Sequence, residues 1–433
     1  MKFFRNLAGV LITTAVISPM GFVTSVVLAR LLSTDDRGLY AIALTFSTLT
    51  AMLFQFGWPT AAIFRLRNAG TRPAEVSGAS LIFLGGLSLV VVAGSLLLEP
   101  WLQDSVLGGL PTAVFVMAAI TIPFRSLSNG FGAVARGIDR FRYENWYAFY
   151  LQVGHLLAVG GALWWFQGQL YELMVALAIV YVLTTAGLIA RVLADTGVTF
   201  AVRPKEISRS FRFGLKTYAM TLTGRVHERV DVFMLAALLA DPTQVAFFAI
   251  AKGGIHLMRL LPNALGKVAY PQLAGLAEQD AAEFACALVR QGLLFMVPSS
   301  IALAIAAPVL LPLVYGEPYA ASTLPFLLLL PGVVLLGTDR VISRYFTGTN
   351  QHKPNVITRG VSLVVNVVLN YLWIPEYGIV GAAAAGLASY LVDAVLIITV
   401  FLAMTDQRVR DLVVPRRSDF DPYWRAIQRL RPS

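Results

Sequence analysis

Charged residues and cysteine are scarce in this 433-residue chain. Only 13% of its residues are charged, whereas 57% are hydrophobic, and the mean hydropathy is +0.70. Soluble domains carry about 25% charged and about 45–50% apolar residues, so the composition excludes an ordinary soluble enzyme. The single cysteine, Cys286, excludes an internal disulfide and a cysteine-ligated metal site. The four histidines lack metal-ligand spacing, so we expect no metal and no cofactor.

Long apolar stretches fill most of the chain. A bilayer core about 30 Å thick needs about 20 apolar residues per helix. The pattern predicts an all-α polytopic membrane protein with about 12 transmembrane helices. The predicted spans are 7–29, 38–64, 77–98, 111–128, 146–166, 171–190, 215–239, 243–265, 288–310, 322–345, 355–374 and 378–404. The first is too long for the apolar core of a signal peptide and no Ala-x-Ala site follows it, so we expect it to be retained.

The basic residues indicate the orientation. If the N-terminus is inside and the spans alternate, the 34 basic residues divide into 28 in inner segments, two in outer segments and four within spans. The two outer ones are Arg30 and Arg37, and Arg125 is counted with an inner segment. Such asymmetry predicts that both termini are cytoplasmic in a multi-pass protein of the inner (cytoplasmic) membrane. The net charge of +10 is then a topology signal, and we expect no nucleic-acid partner.

The polar connector 194–212 divides the chain into two lobes of six spans each. We predict an N-terminal lobe, 1–200, and a C-terminal lobe, 201–405. The segment Leu28–Ala43 resembles the segment Leu235–Ala251 weakly, and each segment joins the first two spans of its half. The similarity arises either from duplication or from chance in apolar sequence. Duplicated halves would place a substrate site at their interface.

A basic tail, 406–433, follows the last span. Its aromatic and aliphatic residues recur at helical spacing with arginines between them. This pattern predicts an amphipathic helix at the inner membrane surface, with a disordered basic tail as the alternative.

Charged residues at bilayer depth are costly and normally face a cavity or a partner. In the predicted seventh span they are Arg225, His227, Glu228, Arg229 and Asp231. The eighth span adds a basic face, whose members are Lys252, His256 and Arg259. One interpretation pairs the charges of the seventh span with each other as contacts between helices. It leaves the two cations of the eighth span unmatched, and unmatched cations favour an anionic ligand.

Other polar groups lie deep in the second half. Asp339, Arg340 and Arg344 lie near the inner end of the tenth span, where the two arginines either bind substrate or mark the interface. Asn366 and Asn370 lie one turn apart, as in helix packing. Asp393 is either a coupling-ion site or a neutral packing acid. The first half offers only a few mid-span polar groups, so we expect the charged site in the second half. Those few are Gln55, Gln152 and His155.

Several segments together resemble the polysaccharide and oligosaccharide flippases of the multidrug/oligosaccharidyl-lipid/polysaccharide exporter superfamily. Each segment is moderately specific, and they follow one another in the family's order along the chain. They are Leu28–Tyr40, Phe213–Lys216, Arg229–Leu235, Tyr270–Leu273, Asn366–Asn370 and Ile374–Ala383.

The resemblance implies two six-helix lobes around a central cavity that opens alternately to either side. It also implies a substrate, a lipid-linked oligosaccharide on a polyprenyl pyrophosphate carrier, and association with membrane lipids and with other polysaccharide-assembly proteins. The residues that could bind the pyrophosphate or glycan are Arg225, Arg229, Lys252, Arg259, Arg340 and Arg344. Family transport is often coupled to Na⁺ or H⁺, for which the available carboxylates are Glu228, Asp231 and Asp393.

Two other functions remain open. A multidrug or small-molecule exporter of the same superfamily would favour cationic cargo and an acidic cavity, whereas the groups here are mainly basic. A membrane glycan polymerase or ligase would need catalytic residues in a sizeable outer loop. The longest predicted outer loop, Glu99 to Leu110, has no room for a folded domain, so we expect no enzyme activity and no catalytic residues.

Overall fold

A computed structural model describes residues 2–68, 70–165, 169–200, 211–212, 214–215, 218, 226–258 and 276–420. Across those ranges every regular element is helical, and no strand occurs. Helices alone satisfy all their backbone hydrogen bonds internally, which is the requirement for crossing hydrocarbon. The all-helical class predicted from composition is therefore confirmed for this part of the chain.

The chain divides into two compact units, Met1–Phe247 and Phe248–Ser433. Helices of the first unit are α1 Lys2–Leu31, α2 Thr34–Leu53, α3 Trp58–Asn68, α4 Pro73–Ser80, α5 Gly86–Leu97, α6 Glu99–Ser105, α7 Thr112–Gly137, α8 Phe141–Val159, α9 Leu170–Thr196 and α10 Val230–Leu239. Helix α11, Pro242–Met258, runs across the division. Short π-helical segments, Leu81–Gly85 and Gly160–Trp165, precede α5 and follow α8.

The second unit continues with longer helices. They are α12 Glu278–Tyr315, α13 Thr323–Gly348, α14 Lys353–Met404 and α15 Val409–Val413, with 3₁₀ turns at Glu317–Ser322 and Arg417–Phe420. Its core packs α12 against α13 and α14 through apolar side chains such as Ile342, Phe346 and Phe401. The predicted division at residue 200 remains a prediction.

Within the described ranges, six helices are long and apolar enough to cross a membrane, and seven if the bent pair α2 and α3 forms one span. The axes of that pair differ by 45°. Each of the twelve predicted stretches overlaps a helix. Helix α14, with 52 residues, contains two of them. The multi-pass character is thus clear, whereas the count of twelve and the cytoplasmic termini remain predictions.

Helix α14 bends sharply at Gly378. Its φ of 57° and ψ of −134° interrupt the helical backbone there, a conformation that is open to glycine and strained for other residues. Pro375, three residues earlier, cannot donate a backbone hydrogen bond and so weakens the helix at the same place. The two halves of α14 can therefore pack side by side.

The segment after α14 is anchored to α12 by a buried ion pair. The Arg290 guanidinium donates to both carboxylate oxygens of Asp419, at 2.7 and 3.0 Å. Burial opposes ionisation of Asp419, but the hydrogen bonds from Arg290 and from the Arg416 backbone N–H outweigh it and hold its pKa below the usual value. Leu412 of α15 enters the same core. The predicted amphipathic pattern beyond residue 420 lies outside the described residues.

Candidate functional site

The predicted seventh span is interrupted where its charges lie. Residues 226–227 are helical, Glu228 and Arg229 form a turn, and α10 begins only at Val230. The predicted seventh span, 215–239, is therefore not one continuous helix across this turn. Non-helical backbone at membrane depth occurs where it lines a cavity or is buried in protein. Glu228 and Arg229 are exposed, whereas Asp231 is 2% exposed in the first turn of α10.

The other predicted binding residues fall in different places. Lys252 is half-buried on α11, with its Nζ 5.6 Å from the centroid of the Phe248 ring. Arg340 is half-buried and Arg344 is exposed, both on α13. Arg225 and Arg259 lie outside the described residues, as does the side chain of His256. The binding roles of all these residues remain predictions.

Two arginines that were predicted to lie between spans, Arg37 and Arg125, belong to helices of the first unit. Arg37, only 7% exposed, lies in the first turn of α2, and its guanidinium is 5.3 Å from the Tyr40 ring centroid. Its Nη2 donates weakly to Ser25 at 3.5 Å. Its buried Nε has no hydrogen-bond partner in the described part of the chain. Arg37 therefore belongs to α2 itself, which begins at Thr34, four residues before the predicted span, and its place on the outer side remains a prediction.

Arg125 lies in the middle of α7, because this helix continues nine residues beyond the predicted end at 128. Its Nη1 donates to Thr48 of α2 at 2.9 Å and its Nε donates to Thr121 at 3.3 Å. The guanidinium lies 4.1 Å from the ring centroid of Tyr181 on α9. Its assignment to an inner segment is corrected accordingly.

No carboxylate among the described residues pairs with Arg37 or Arg125. Nη2 of Arg125 and Nε2 of His155 are both inaccessible and lack hydrogen-bond partners within the described ranges. The His155 ring contacts Tyr181 edge-on, at 5.3 Å between centroids, so it lies on the same aromatic side chain as Arg125. Buried cationic donors normally have a hydrogen-bond acceptor, whereas Nη2 of Arg125 has none in the described ranges. The first half thus holds more polar groups than the sequence indicated, whereas the expectation that the charged site lies in the second half remains a prediction.

The sequence does contain a signal that Arg125 lies inside a helix, namely the uncharged residues that follow it. Residues 126–135 carry no charge and continue the helix beyond the arginine. The partners of the arginine could not be seen in the same way, because Thr48 lies 77 residues away in the chain.

The second unit contains a buried polar layer between α13 and the two halves of α14. Asp339, 2% exposed, accepts hydrogen bonds from Ser343 at 3.1 Å and from Arg359 at 3.4 Å. Asp393 is 4% exposed, and its Oδ1 has no hydrogen-bond partner in the described part of the unit. Asp339 thus pairs with Arg359, whereas Asp393 keeps an unused carboxylate oxygen within the described part of the layer.

Two asparagines extend this layer along α14. Asn370 donates to Asn366 at 3.1 Å, and Asn366 donates to Ser389 on the other half of the helix at 3.4 Å. Both asparagines are fully buried. These contacts support the predicted packing role, since a buried amide needs a partner in a dry interface.

The chain is similar in sequence to proteins of known families. A family model described as "Polysaccharide biosynthesis protein" matches residues 4–276. A probable low-salt glycan biosynthesis flippase, Agl15 of Haloferax volcanii, is 24% identical over 232 residues, which are 49% of this chain and 48% of the relative. The chain thus spans about half the length of that relative.

Solved structures share the fold. The lipid II flippase MurJ in an inward closed conformation has a TM-score of 0.78 at 13% identity, over 98% of this chain and 93% of that one. An inward-facing multidrug resistance transporter of the MATE family has a TM-score of 0.70 at 16% identity, over 90% and 95% of the two chains. A MOP superfamily transporter from Pyrococcus furiosus, described as having a binding pocket of reverse polarity, has a TM-score of 0.57 at 13% identity, over 93% and 94%.

Proposed function

The chain belongs to the polysaccharide biosynthesis protein family, and from this premise we propose that it is a flippase for a lipid-linked oligosaccharide. It would move a polyprenyl-pyrophosphate-linked glycan from the inner to the outer leaflet of the cytoplasmic membrane by alternating access, coupled to Na⁺ or H⁺, for cell-surface polysaccharide assembly. The proteins that it resembles in sequence and fold include flippases and transporters, which supports the prediction that the chain is not an enzyme.

The observation that best supports this cargo is the pair of arginines without acidic partners in the first unit. Arg37 and Arg125 have only hydroxyl and aromatic contacts among the described residues. An uncompensated cation in a dry region is costly, and a phosphate-bearing visitor offsets that cost. Guanidinium groups bind phosphate oxygens through two parallel hydrogen bonds. A cationic drug would instead be repelled by such groups.

The polarity and charge of the proposed substrate also mean that it needs a protein to cross the membrane. A pyrophosphate with a sugar chain cannot cross hydrocarbon unaided, because each unsatisfied polar group costs several kcal/mol. An inside-negative potential favours outward movement of negative charge by about 2.3 kcal/mol per charge per 100 mV. A bound proton or cation would offset part of that energy.

We assign provisional roles to the residues predicted from the sequence. Those that would bind the pyrophosphate or glycan are Arg225, Arg229, Lys252, Arg259, Arg340 and Arg344. Those that would carry the coupling ion are Glu228, Asp231 and Asp393. Arg125 joins the first group because its Nη2 is unused.

The test uses the purified protein in vesicles that carry fluorescent polyprenyl-pyrophosphate oligosaccharide in one leaflet. Transfer to the other leaflet is followed with and without an ion gradient. We expect transfer by the wild type and loss to the protein-free rate in the double variant Arg225→Gln/Arg229→Gln. Removal of two charge-assisted phosphate contacts costs about 3–6 kcal/mol, which is enough to abolish measurable transfer.

A matched control removes the same charge elsewhere. Arg410 and Arg417 are exposed and lie after the last predicted span, so Arg410→Gln/Arg417→Gln should transfer glycan like the wild type. Normal transfer by the Arg225/Arg229 variant at equal protein level would contradict the cargo role. No transfer by the wild type, together with efflux of a cationic dye, would instead identify an exporter.

A further inference from the structure

A long apolar groove runs between α8 and α9 in the first unit. It encloses about 640 Å³, within the range of ligand sites of about 300–1,000 Å³. Its lining is aromatic at one end and aliphatic at the other, with side chains that include Tyr147, Tyr150, Leu157, Ile179 and Leu183. Membrane spans commonly present apolar side chains to lipid, so exposed apolar side chains alone do not indicate a binding site. The concave shape of the groove and the charged residues at one end of it do indicate one.

Two arginines lie at the aromatic end of the groove. The guanidiniums of Arg142 on α8 and Arg191 on α9 approach the same ring, that of Trp146, at 5.3 and 5.6 Å from its centroid. Both arginines are exposed. Neither forms an ion pair with a carboxylate in the described ranges. Two cations at one aromatic ring concentrate positive charge at this end of the groove, where a phosphate group can bind.

The location of these arginines fits the inner membrane surface. Arg142 lies in the first turn of α8 and Arg191 in the last two turns of α9, and the count of basic residues assigns both to inner segments. The groove therefore begins at the inner interface and continues toward the middle of the bilayer.

The length of the groove distinguishes two kinds of lipid. Its lining on α8 extends from Tyr143 to Ala158, which is about 22 Å of helix at 1.5 Å per residue. One leaflet of hydrocarbon is only about 15 Å thick, half of a core of about 30 Å. An acyl chain of an ordinary phospholipid ends near that depth. A longer chain that passes the midplane would fill the whole groove.

We propose that the α8–α9 groove captures a polyprenyl phosphate lipid from the inner leaflet, with the isoprenoid chain in the groove and the phosphate between Arg142 and Arg191. The identity of the lipid rests on the proposed function. The groove would concentrate the carrier at the protein surface before its headgroup enters the transport path.

Gly187 allows the groove to be filled without disturbing the helix packing. It lies in the groove lining, and a Cβ added there meets no atom within 4 Å. Gly187→Phe would place a ring in the groove, and replacement of a helical glycine does not weaken the helix. Gly94 on α5 is also helical with no atom within 4 Å of an added Cβ, but it is not part of the groove lining. Gly94→Phe is therefore the matched control.

The experiment titrates the full-length protein in detergent micelles and measures bound lipid by native mass spectrometry. The probes are a polyprenyl monophosphate, the neutral polyprenol and phosphatidylglycerol. We expect Arg142→Gln/Arg191→Gln to weaken binding of the monophosphate by about tenfold or more, as for loss of one charge-assisted hydrogen bond. Binding of the polyprenol should not change. Gly187→Phe should weaken binding of both isoprenoids, and Gly94→Phe of neither.

Two binding results would overturn the inference. One is equal binding of the monophosphate by the wild type, Gly187→Phe and the double arginine variant. The other is groove-dependent binding of phosphatidylglycerol as tight as that of the monophosphate, which would identify an ordinary lipid site.

Transfer measured on the same variants separates this inference from the proposed function. Groove-dependent binding without glycan transfer by the wild type would support the capture site and contradict the flippase. Glycan transfer by the wild type with binding unaffected by Gly187→Phe would support the flippase and overturn the capture site.

Discussion

At the residue scale, arginines are held in this protein in two different ways. Arg290 has its full complement of acceptors in Asp419 and a backbone carbonyl, so its charge serves the packing of the C-terminal segment. Arg125 has hydroxyl and aromatic partners and an unused Nη2. Breaking a buried pair costs about 3–5 kcal/mol, whereas an unused donor already carries its desolvation cost. The first arrangement is structural, and for the second we propose a phosphate ligand that would need the site to open around Arg125.

Asp393 allows a test of ion coupling at this scale. Asp393→Asn keeps the size of the side chain and removes its ability to carry a proton or to bind Na⁺ as an anion. If Asp393 is the coupling site, stimulation of transfer by the ion gradient should disappear and leave the rate measured without a gradient. The measurement is leaflet transfer in vesicles, with and without each gradient.

The control for this variant is Asn366→Asp, which adds an acid to the same polar layer without removing one. Full gradient stimulation in Asp393→Asn, at equal protein level, would assign Asp393 to helix packing.

At the element scale, deviations from straight helices define the important features of the chain. The turn at Glu228 and Arg229 divides the seventh predicted span. The bend at Gly378 folds α14 so that Asn366 can reach Ser389. Local causes are visible at Gly378, where a proline and a glycine weaken the helix. The turn at residue 228 has no comparable sequence signal.

Gly378→Ala tests the bend. A Cβ at this φ and ψ is strained by about 1–3 kcal/mol, so we expect the free energy of unfolding to fall by that amount. Thermal unfolding in detergent measures the change. Gly360→Ala is the control on the same helix, because an added Cβ there meets no atom within 4 Å. It should be neutral or slightly stabilising, by about 0.5–1 kcal/mol. Equal stability of the two variants would show that the bend at Gly378 is absent.

At the scale of the whole molecule, the start of α2 meets the start of α11. The Thr243 hydroxyl donates to the Asp35 carboxylate. A Cβ at Gly38 would lie 1.7 Å from the carbonyl oxygen of Pro242, so only glycine permits this approach. Both segments flank predicted outer loops. The two segments belong to different predicted lobes, 1–200 and 201–405, so the proposed alternating-access cycle predicts that this contact separates when the outer side opens.

A disulfide at this contact should arrest the cycle. In Asp35→Cys/Thr243→Cys, oxidation should reduce glycan transfer to the protein-free rate, and a reductant should restore it. The natural Cys286 is buried and alone in the sequence, so it does not interfere. Each single variant should transfer glycan normally after oxidation. Full transfer by protein that is shown to be cross-linked would contradict an opening at this contact.

Most of the helices could be predicted because hydropathy and length act locally. The apolar stretches predicted the first residues of α7 and α9 to within one position, and the asparagines one turn apart predicted a packed face. The end of α7 was predicted nine residues too early, at the polar residues Ser128 and Asn129. Arg125 then fell near the end of the predicted span and was counted with an inner segment, so its partners in the first unit were not considered.

The sequence by itself determined the membrane class, the helical fold and the family, because each depends on composition or on short segments that keep their order. Only the tertiary structure decided which cations lie inside, where the seventh span breaks and where a groove opens between α8 and α9. Those features depend on partners distant in the chain, such as the 77 residues between Thr48 and Arg125 and the 129 between Arg290 and Asp419. A charge is stable in the interior only where such partners meet it, and packing alone brings them together.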